Sequence, residues 1–228
     1  MPTNQIQLAV VDMAGTTVAD DGLVVTAFEA AATVAGLPEQ GAERERARQY
    51  VLDTMGQSKI TVFRALFGAE DLAQQANAAF EQAYSGLIDE GHARPIDGAA
   101  EAISRLRDGG VRVALTTGFS GTTQDKLLAA LGWQSLADLV LAPGDGVRGR
   151  PFPDLILTAL IRLQIDGVAN VASLGDTSND VDSALRAGCA IAAGTLTGAH
   201  SEEQLRAAGA THVVGSVVDF ADLILLDR

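Results

Sequence analysis

The sequence predicts an α/β fold in which a parallel sheet carries helices on both faces and a block of helices follows the first strand. Three observations carry that expectation. Residues 6–11 form a short, almost unbroken apolar run ending on Asp12, as expected of a strand buried on both faces of a parallel sheet. Residues 22–91 then show only helical patterns. From Pro95 onward, strand-like runs alternate with helical ones, as a doubly wound sheet requires.

In the helical block, Val24, Val25, Phe28, Ala31, Ala32 and Ala35 recur at helical spacing, and Gly36 with Pro38 ends the element. Residues 43–55 form a charged helix. Gly56 and Gln57 break the run, and Ser58 is placed to cap a helix with Ile60, Phe63, Leu66 and Phe67 on one side. Gly68 closes it, and residues 71–90 form a longer amphipathic helix. A helix over 98–108 then leads to a buried strand at 111–117, and the next helix runs to Leu131 with Gly132 as its stop. A short strand is expected at 138–142, a helix at 153–164 and a strand at 171–175 ending at Asp176. Strands at 190–193 and 211–214, with helices at 202–208 and 220–226, complete the chain. This division gives a core of residues 1–18 and 95–228 and a helical cap of residues 19–94, joined by hinges near 18–22 and 91–97.

Of the 228 residues, 47% are hydrophobic, enough to build a packed core. The formal charge of −13 repels phosphate backbones and anionic lipid, so neither nucleic acid nor a membrane is expected as a partner. An anionic substrate would need a locally basic pocket or a metal ion. The single cysteine, Cys189, lies in an apolar run and is expected to be a buried structural thiol. It allows no disulfide within the chain, which suits a reducing compartment. No charged segment followed by an apolar one opens the sequence, and no apolar run reaches the roughly 18 residues of a membrane span, so a cytoplasmic location is expected.

In open α/β sheets ligands bind outside the carboxyl ends of the strands. Four such positions carry polar residues: Asp12, the Thr116-Thr117-Gly118 turn, Arg150, and the run Gly175-Asp176-Thr177-Ser178-Asn179-Asp180. Taken singly, Asp12 and the 175–180 run could cap helices, and Arg150 could be a surface charge. Taken together on one sheet edge, they suit phosphoryl transfer. Asp12 and Asp176 could hold Mg²⁺, a hard cation that prefers oxygen ligands. Thr117 and a backbone N–H of the Gly118 turn could bind non-bridging oxygens, with Arg150 supplying fixed positive charge.

The order and spacing of these motifs resemble the haloacid dehalogenase superfamily over essentially the whole chain. Asp12-Met13-Ala14-Gly15-Thr16-Thr17 is similar to its first motif, Thr117 to the second, Arg150 to the third and Gly175-Asp176 through Asp180 to the fourth. The resemblance implies a Rossmann-like three-layer core with a C1-type helical cap and an aspartyl-phosphate intermediate on Asp12. It also implies Mg²⁺ held by Asp12, the Ala14 carbonyl and Asp176, with Asp180 orienting metal-bound water.

Ala14 stands where most phosphatases of that superfamily place a second aspartate as general acid–base, a loss of about 10²–10⁴-fold for an alkoxide leaving group. The phosphonatase branch shares the Asp-x-Ala-Gly-Thr-Thr pattern and cleaves phosphonoacetaldehyde through a Schiff base on a cap lysine. Met55-Gly56-Gln57-Ser58-Lys59 is similar to its Met-Gly-x-x-Lys segment, which implies that role for Lys59 and dimerisation through the cap. The chain departs from that branch at Val62, Phe119 and Leu23, where the branch has histidine, tyrosine and cysteine. Two other readings stay open here: a phosphomonoesterase acting on a small phosphorylated metabolite, and a non-catalytic phosphate-binding or signalling protein. A dehalogenase of the same fold would need no metal, whereas Asp176 and Asp180 suggest one.

Overall fold

β1 (Leu8–Asp12) is buried at every position, and its side chains alternate between two apolar clusters. Ala9, Val11 and Met13 join one cluster, Leu8 and Val10 the other, as the two-residue period of a strand requires. In the computed structural model, which describes residues 5–226, β1 lies inside a six-stranded sheet. The outermost parts of the expected core, residues 1–4 and 227–228, lie outside the described residues. β2 (Arg112–Thr116) and β3 (Leu139–Leu141) extend the sheet on one side of β1. β4 (Val171–Gly175), β5 (Ile191–Thr195) and β6 (His212–Val214) extend it on the other. The order is β3-β2-β1-β4-β5-β6, and every pairing is parallel.

The chain thus builds outward from β1 in one direction and returns to build outward in the other. The reversal between β1 and β4 opens a crevice at their carboxyl ends. Asp12 ends β1, and Asp176 follows β4 directly.

Between β1 and the next core helix run α1 (Leu23–Val34), α2 (Ala42–Asp53), α3 (Lys59–Phe67) and α4 (Glu70–Asp89), with no strand among them. α1 and α3 both pack on α4. The Phe63 ring ties them together, 6.4 Å from Phe28 and 6.0 Å from Phe80. The chain enters and leaves this block side by side: Ala19 N–H donates to the Arg94 carbonyl, and Ile96 N–H to the Thr17 carbonyl, both at 2.9 Å. Two crossing segments tied in this way fix where the helices hang over the crevice.

The remaining helices cover the two faces of the sheet. α5 (Ala99–Asp108), α6 (Gly121–Leu131) and α10 (Val217–Leu226) place Ile103, Leu106, Leu127 and Phe220 in one cluster. α7 (Asp154–Arg162) and α8 (Ser178–Ala187) place Leu155, Ile156, Ala159 and Ala184 in the other. α9 (Glu202–Ala207) connects β5 to β6. The chain is a three-layer α/β protein of the expected class.

Three local expectations are corrected. Ser58 precedes α3, but its side chain accepts no capping hydrogen bond; Lys59 N–H donates instead to the Gly118 carbonyl of the core at 3.3 Å. A tertiary partner has replaced the local cap. Val111 is buried but falls outside β2. Cys189 is half-buried rather than buried, and that burial pushes its thiol up to about 12. Among the described residues no helix is long and apolar enough to cross a membrane.

Candidate active site

Asp12 caps no helix. Its carboxylate forms an ion pair with Arg150 Nη2 at 2.5 Å and accepts the Thr16 hydroxyl at 3.4 Å. Residues 13–17 form a tight turn in which the N–H groups of Thr16, Thr17 and Val18 converge on the Met13 carbonyl. Gly15 adopts φ +81° there, and a Cβ at that position would overlap the Asp176 carboxylate. Only glycine satisfies both the backbone and the approach.

Arg150 is not a surface charge; it is only 6% exposed. Its guanidinium reaches Asp12, donates Nη2–H to Thr116 Oγ1 at 2.8 Å and pairs through Nε with Asp180 at 2.8 Å. Nη1 also donates to the Gly56 carbonyl of the helical insert at 3.5 Å. Asp180 Oδ2 accepts both the N–H and the hydroxyl of Thr177, completing a capping box on α8. Helix capping therefore accounts for Thr177 and part of Asp180, but not for Asp176. The Asp176 carboxylate accepts the Ala199 N–H at 2.7 Å and lies where a Cβ on Gly15 or Gly198 would collide with it.

Two buried carboxylates, Asp12 and Asp180, thus pair with one guanidinium, and the charge of a third, Asp176, acts on it as well. Burial pushes Asp12 up to about 6, against the pull of Arg150 and with the push of Asp180. Burial, then the charges of Asp12 and Asp180, hold Asp176 well above the usual carboxylate range. A hard divalent cation would relieve this repulsion, and the donors present are oxygens, so the residues fit Mg²⁺. Among the described residues no group of three or more His, Cys, Asp or Glu side chains is arranged to hold a metal. A cation between Asp12 and Asp176 would therefore take a further protein ligand from backbone, and Ala14 borders the same cavity of about 230 Å³.

The insert supplies the roof. Lys59 opens α3, is 8% exposed, and holds its ammonium 5.5 Å from the Phe119 ring centroid and 5.8 Å from that of Phe80. No hydrogen bond or ion pair engages that ammonium among the described residues. Burial lowers its pKa, and the Asp20 and Asp12 carboxylates offset part of that shift. Between the lowered value and the ordinary 10.5, the folded chain holds fewer protons than the unfolded one. Stability carried by this group therefore rises with pH across that window, and below it the full cost of burying a charge remains. Lys59→Met is expected to flatten that rise, read by urea unfolding between neutral and alkaline pH.

Roof and floor meet through side-chain and backbone hydrogen bonds. Asn179 Nδ2–H donates to the Met55 carbonyl at 2.7 Å, and Glu81 of α4 accepts the Ser120 hydroxyl at 2.6 Å. Thr117 is buried, and its hydroxyl accepts the Phe119 N–H at 3.2 Å. A Cβ on Gly118 would stand 2.6 Å from the Gln57 carbonyl oxygen and 3.1 Å from that of Gly56. Gly118→Ala is expected to lift the insert from the crevice and cost about 10²-fold in kcat/KM by misplacement. Its melting temperature should fall as well, because the insert and one face of the sheet share a single apolar cluster.

The structure brings Asp12, Arg150, Asp176 and Asp180 into one crevice, with Ala14, Thr117 and Gly118 lining its cavity; Lys59 does not line that cavity but lies near enough to feel the charges of Asp12, Asp20 and Asp176. Two features escaped the sequence reading. The 197–199 loop that holds Asp176 follows β5, and the strand-end rule applied to that strand would have pointed to it. Asp20 lines the cavity from the entry segment and carries no such signal.

Residues 6–188 match the family described as haloacid dehalogenase-like hydrolase. The chain belongs to that family. A phosphonoacetaldehyde hydrolase-like protein of Syntrophobacter fumaroxidans is 34% identical over 122 residues, covering 51% of this chain and 43% of the relative. This haloacid dehalogenase-like chain therefore aligns with less than half of that relative's length. A probable phosphatase, IndB, of Dickeya dadantii is 28% identical over 205 residues, covering 88% of this chain and 86% of the relative. The crystal structure of a phosphonoacetaldehyde hydrolase-like protein from Oleispira antarctica superposes with a TM-score of 0.82 at 21% identity, covering 96% of this chain and 91% of that one. At that identity the likeness speaks for the haloacid dehalogenase-like fold alone. As a member of the family, the chain is a haloacid dehalogenase-like hydrolase.

Proposed function

We propose that the chain is a Mg²⁺-dependent hydrolase that cleaves the C–P bond of phosphonoacetaldehyde or a close relative. The observation that carries this reading is Lys59, a buried lysine without an ionic partner, above an aspartate whose usual acidic neighbour is Ala14. The chain's other lysine, Lys126, is held by Asp89 at 2.6 Å and is spoken for.

Lys59, whose ammonium gives up a proton more readily in its apolar surroundings, adds as the free amine to the aldehyde carbon, and loss of water gives an iminium. Asp12 attacks phosphorus, and the C–P electron pair flows into the iminium to leave an enamine. No oxygen anion leaves, so no acid is needed at position 14. Arg150 and the turn at Thr117 and Gly118 hold the phosphonyl oxygens, with Asp180 fixing the Arg150 guanidinium. Mg²⁺, held by Asp12, the Ala14 carbonyl and Asp176, would neutralise charge between the aspartate and the phosphonate dianion. The helices of residues 19–94 act as the cap that excludes water from the iminium.

A phosphomonoesterase is the second reading, supported by the likeness to a protein named as a probable phosphatase over most of both chains. Phosphate release from phosphonoacetaldehyde against a panel of phosphomonoesters, with and without a chelator, separates the two. Turnover confined to the aldehyde, and lost on chelation, is expected; turnover of the esters alone would favour the second reading.

A further inference from the structure

Asp20 borders the cavity but has no part in the reaction above. Its carboxylate accepts the Val24 N–H at 3.2 Å, so it helps start α1. Among the described residues no cation is in ion-pair contact with it, whereas neighbouring Asp21 is exposed and pairs with Arg94 at 2.5 Å. Helix capping would be served by asparagine or serine as well. It does not account for an acid at the cavity wall whose charge reaches Lys59.

We propose that Asp20, on the entry segment, carries the proton between the Lys59 amine and the substrate's carbonyl oxygen while the imine forms. The inference rests on the imine reading of Lys59. The step balances without an outside acid. The Lys59 ammonium gives one proton, relayed by a water, to the Asp20 carboxylate, leaving a free amine and a carboxylic acid. The amine nitrogen then forms a bond to the aldehyde carbon, and its second proton moves to the former carbonyl oxygen. The carbinolamine hydroxyl takes the proton back from Asp20 and leaves as water while the nitrogen lone pair closes the C=N bond. Asp20 ends as the carboxylate it began as, beside an iminium.

The surroundings favour this exchange. Burial raises Asp20 and lowers Lys59, so the two affinities for the proton approach each other. The other groups facing Asp20 do not compete. Asp21 also borders the cavity but is exposed and paired with Arg94, and Tyr84 of α4 keeps its phenol proton through burial and the negative charges of Asp20 and Asp12.

Asp20→Asn retains the acceptor for Val24 N–H and removes the titrating group. Rapid mixing of the full chain with phosphonoacetaldehyde and borohydride measures how fast a reduced adduct accumulates on Lys59. Asp20→Asn is expected to slow that rate and kcat together, by about 10²-fold or more, with KM changed only a few-fold and partial recovery in Asp20→Glu. A purely capping role would leave the trapping rate at the wild-type value, and that result overturns the proposal. If Asp20→Asn melts early, Asp20→Ser, which also caps, replaces it in the same comparison. An unmodified Lys59 in the wild type overturns the imine reading itself, and this inference with it, before any Asp20 variant is considered.

Discussion

Lys59→Arg is expected to keep its fold and its positive charge and to lose about 10²–10⁴-fold in kcat with phosphonoacetaldehyde. A guanidinium stays protonated and offers no lone pair to a carbonyl carbon, so the variant tests nucleophilicity rather than charge. The loss should fall on kcat, because the substrate's phosphonate is held elsewhere, by Arg150 and the Thr117 turn. Steady-state phosphate release measures it. Equal turnover by the variant would mean that the lysine only attracts an anion, the outcome expected of a phosphomonoesterase.

Asp12→Asn has the larger expected effect, on the order of 10⁶-fold, because a neutral amide cannot form the phosphoryl–enzyme bond. Its effect on stability should have the opposite sign. The Asp12 carboxyl titrates at about 6 in the fold, above its ordinary 3.8. The folded chain therefore holds more protons than the unfolded one between those values, so this group lowers stability as pH rises through the window. Above pH 6 the cost is fully present, and the amide removes it. A metal-free melt at neutral pH should show Asp12→Asn no less stable than the wild type while its activity is gone. A variant that lost both would mark Asp12 as a structural ion-pair partner of Arg150.

How far the sequence disclosed this arrangement depended on how local each signal was. β1 was legible because alternation on a doubly buried strand leaves an apolar run, and Asp12 because it ends that run. Asp176 was legible for the same reason on β4. The helical insert announced itself by periodicity, down to Gly68, which takes φ 68° at the end of α3. Arg150 was legible only through its order among the other motifs. Its burial comes from Thr116, Asp180 and the Gly56 carbonyl, brought in from three separate parts of the chain. The start of α3 misled for a related reason: its partner is Gly118, a residue of the opposite layer. Asp20 and the 197–199 loop depend on how the entry segment and the turn after β5 fold over the crevice, which no local period encodes.

In the proposed reaction an aspartate of the sheet attacks phosphorus while a lysine of the cap takes up the leaving group. Both roles are read at once by borohydride reduction of the Asp12→Asn variant in the presence of phosphonoacetaldehyde, followed by peptide mass analysis. An adduct on Lys59 that still carries its phosphonate, with no phosphate released, is expected. An adduct on Lys126, or none at all while the wild type turns over fully, would contradict the proposed reaction.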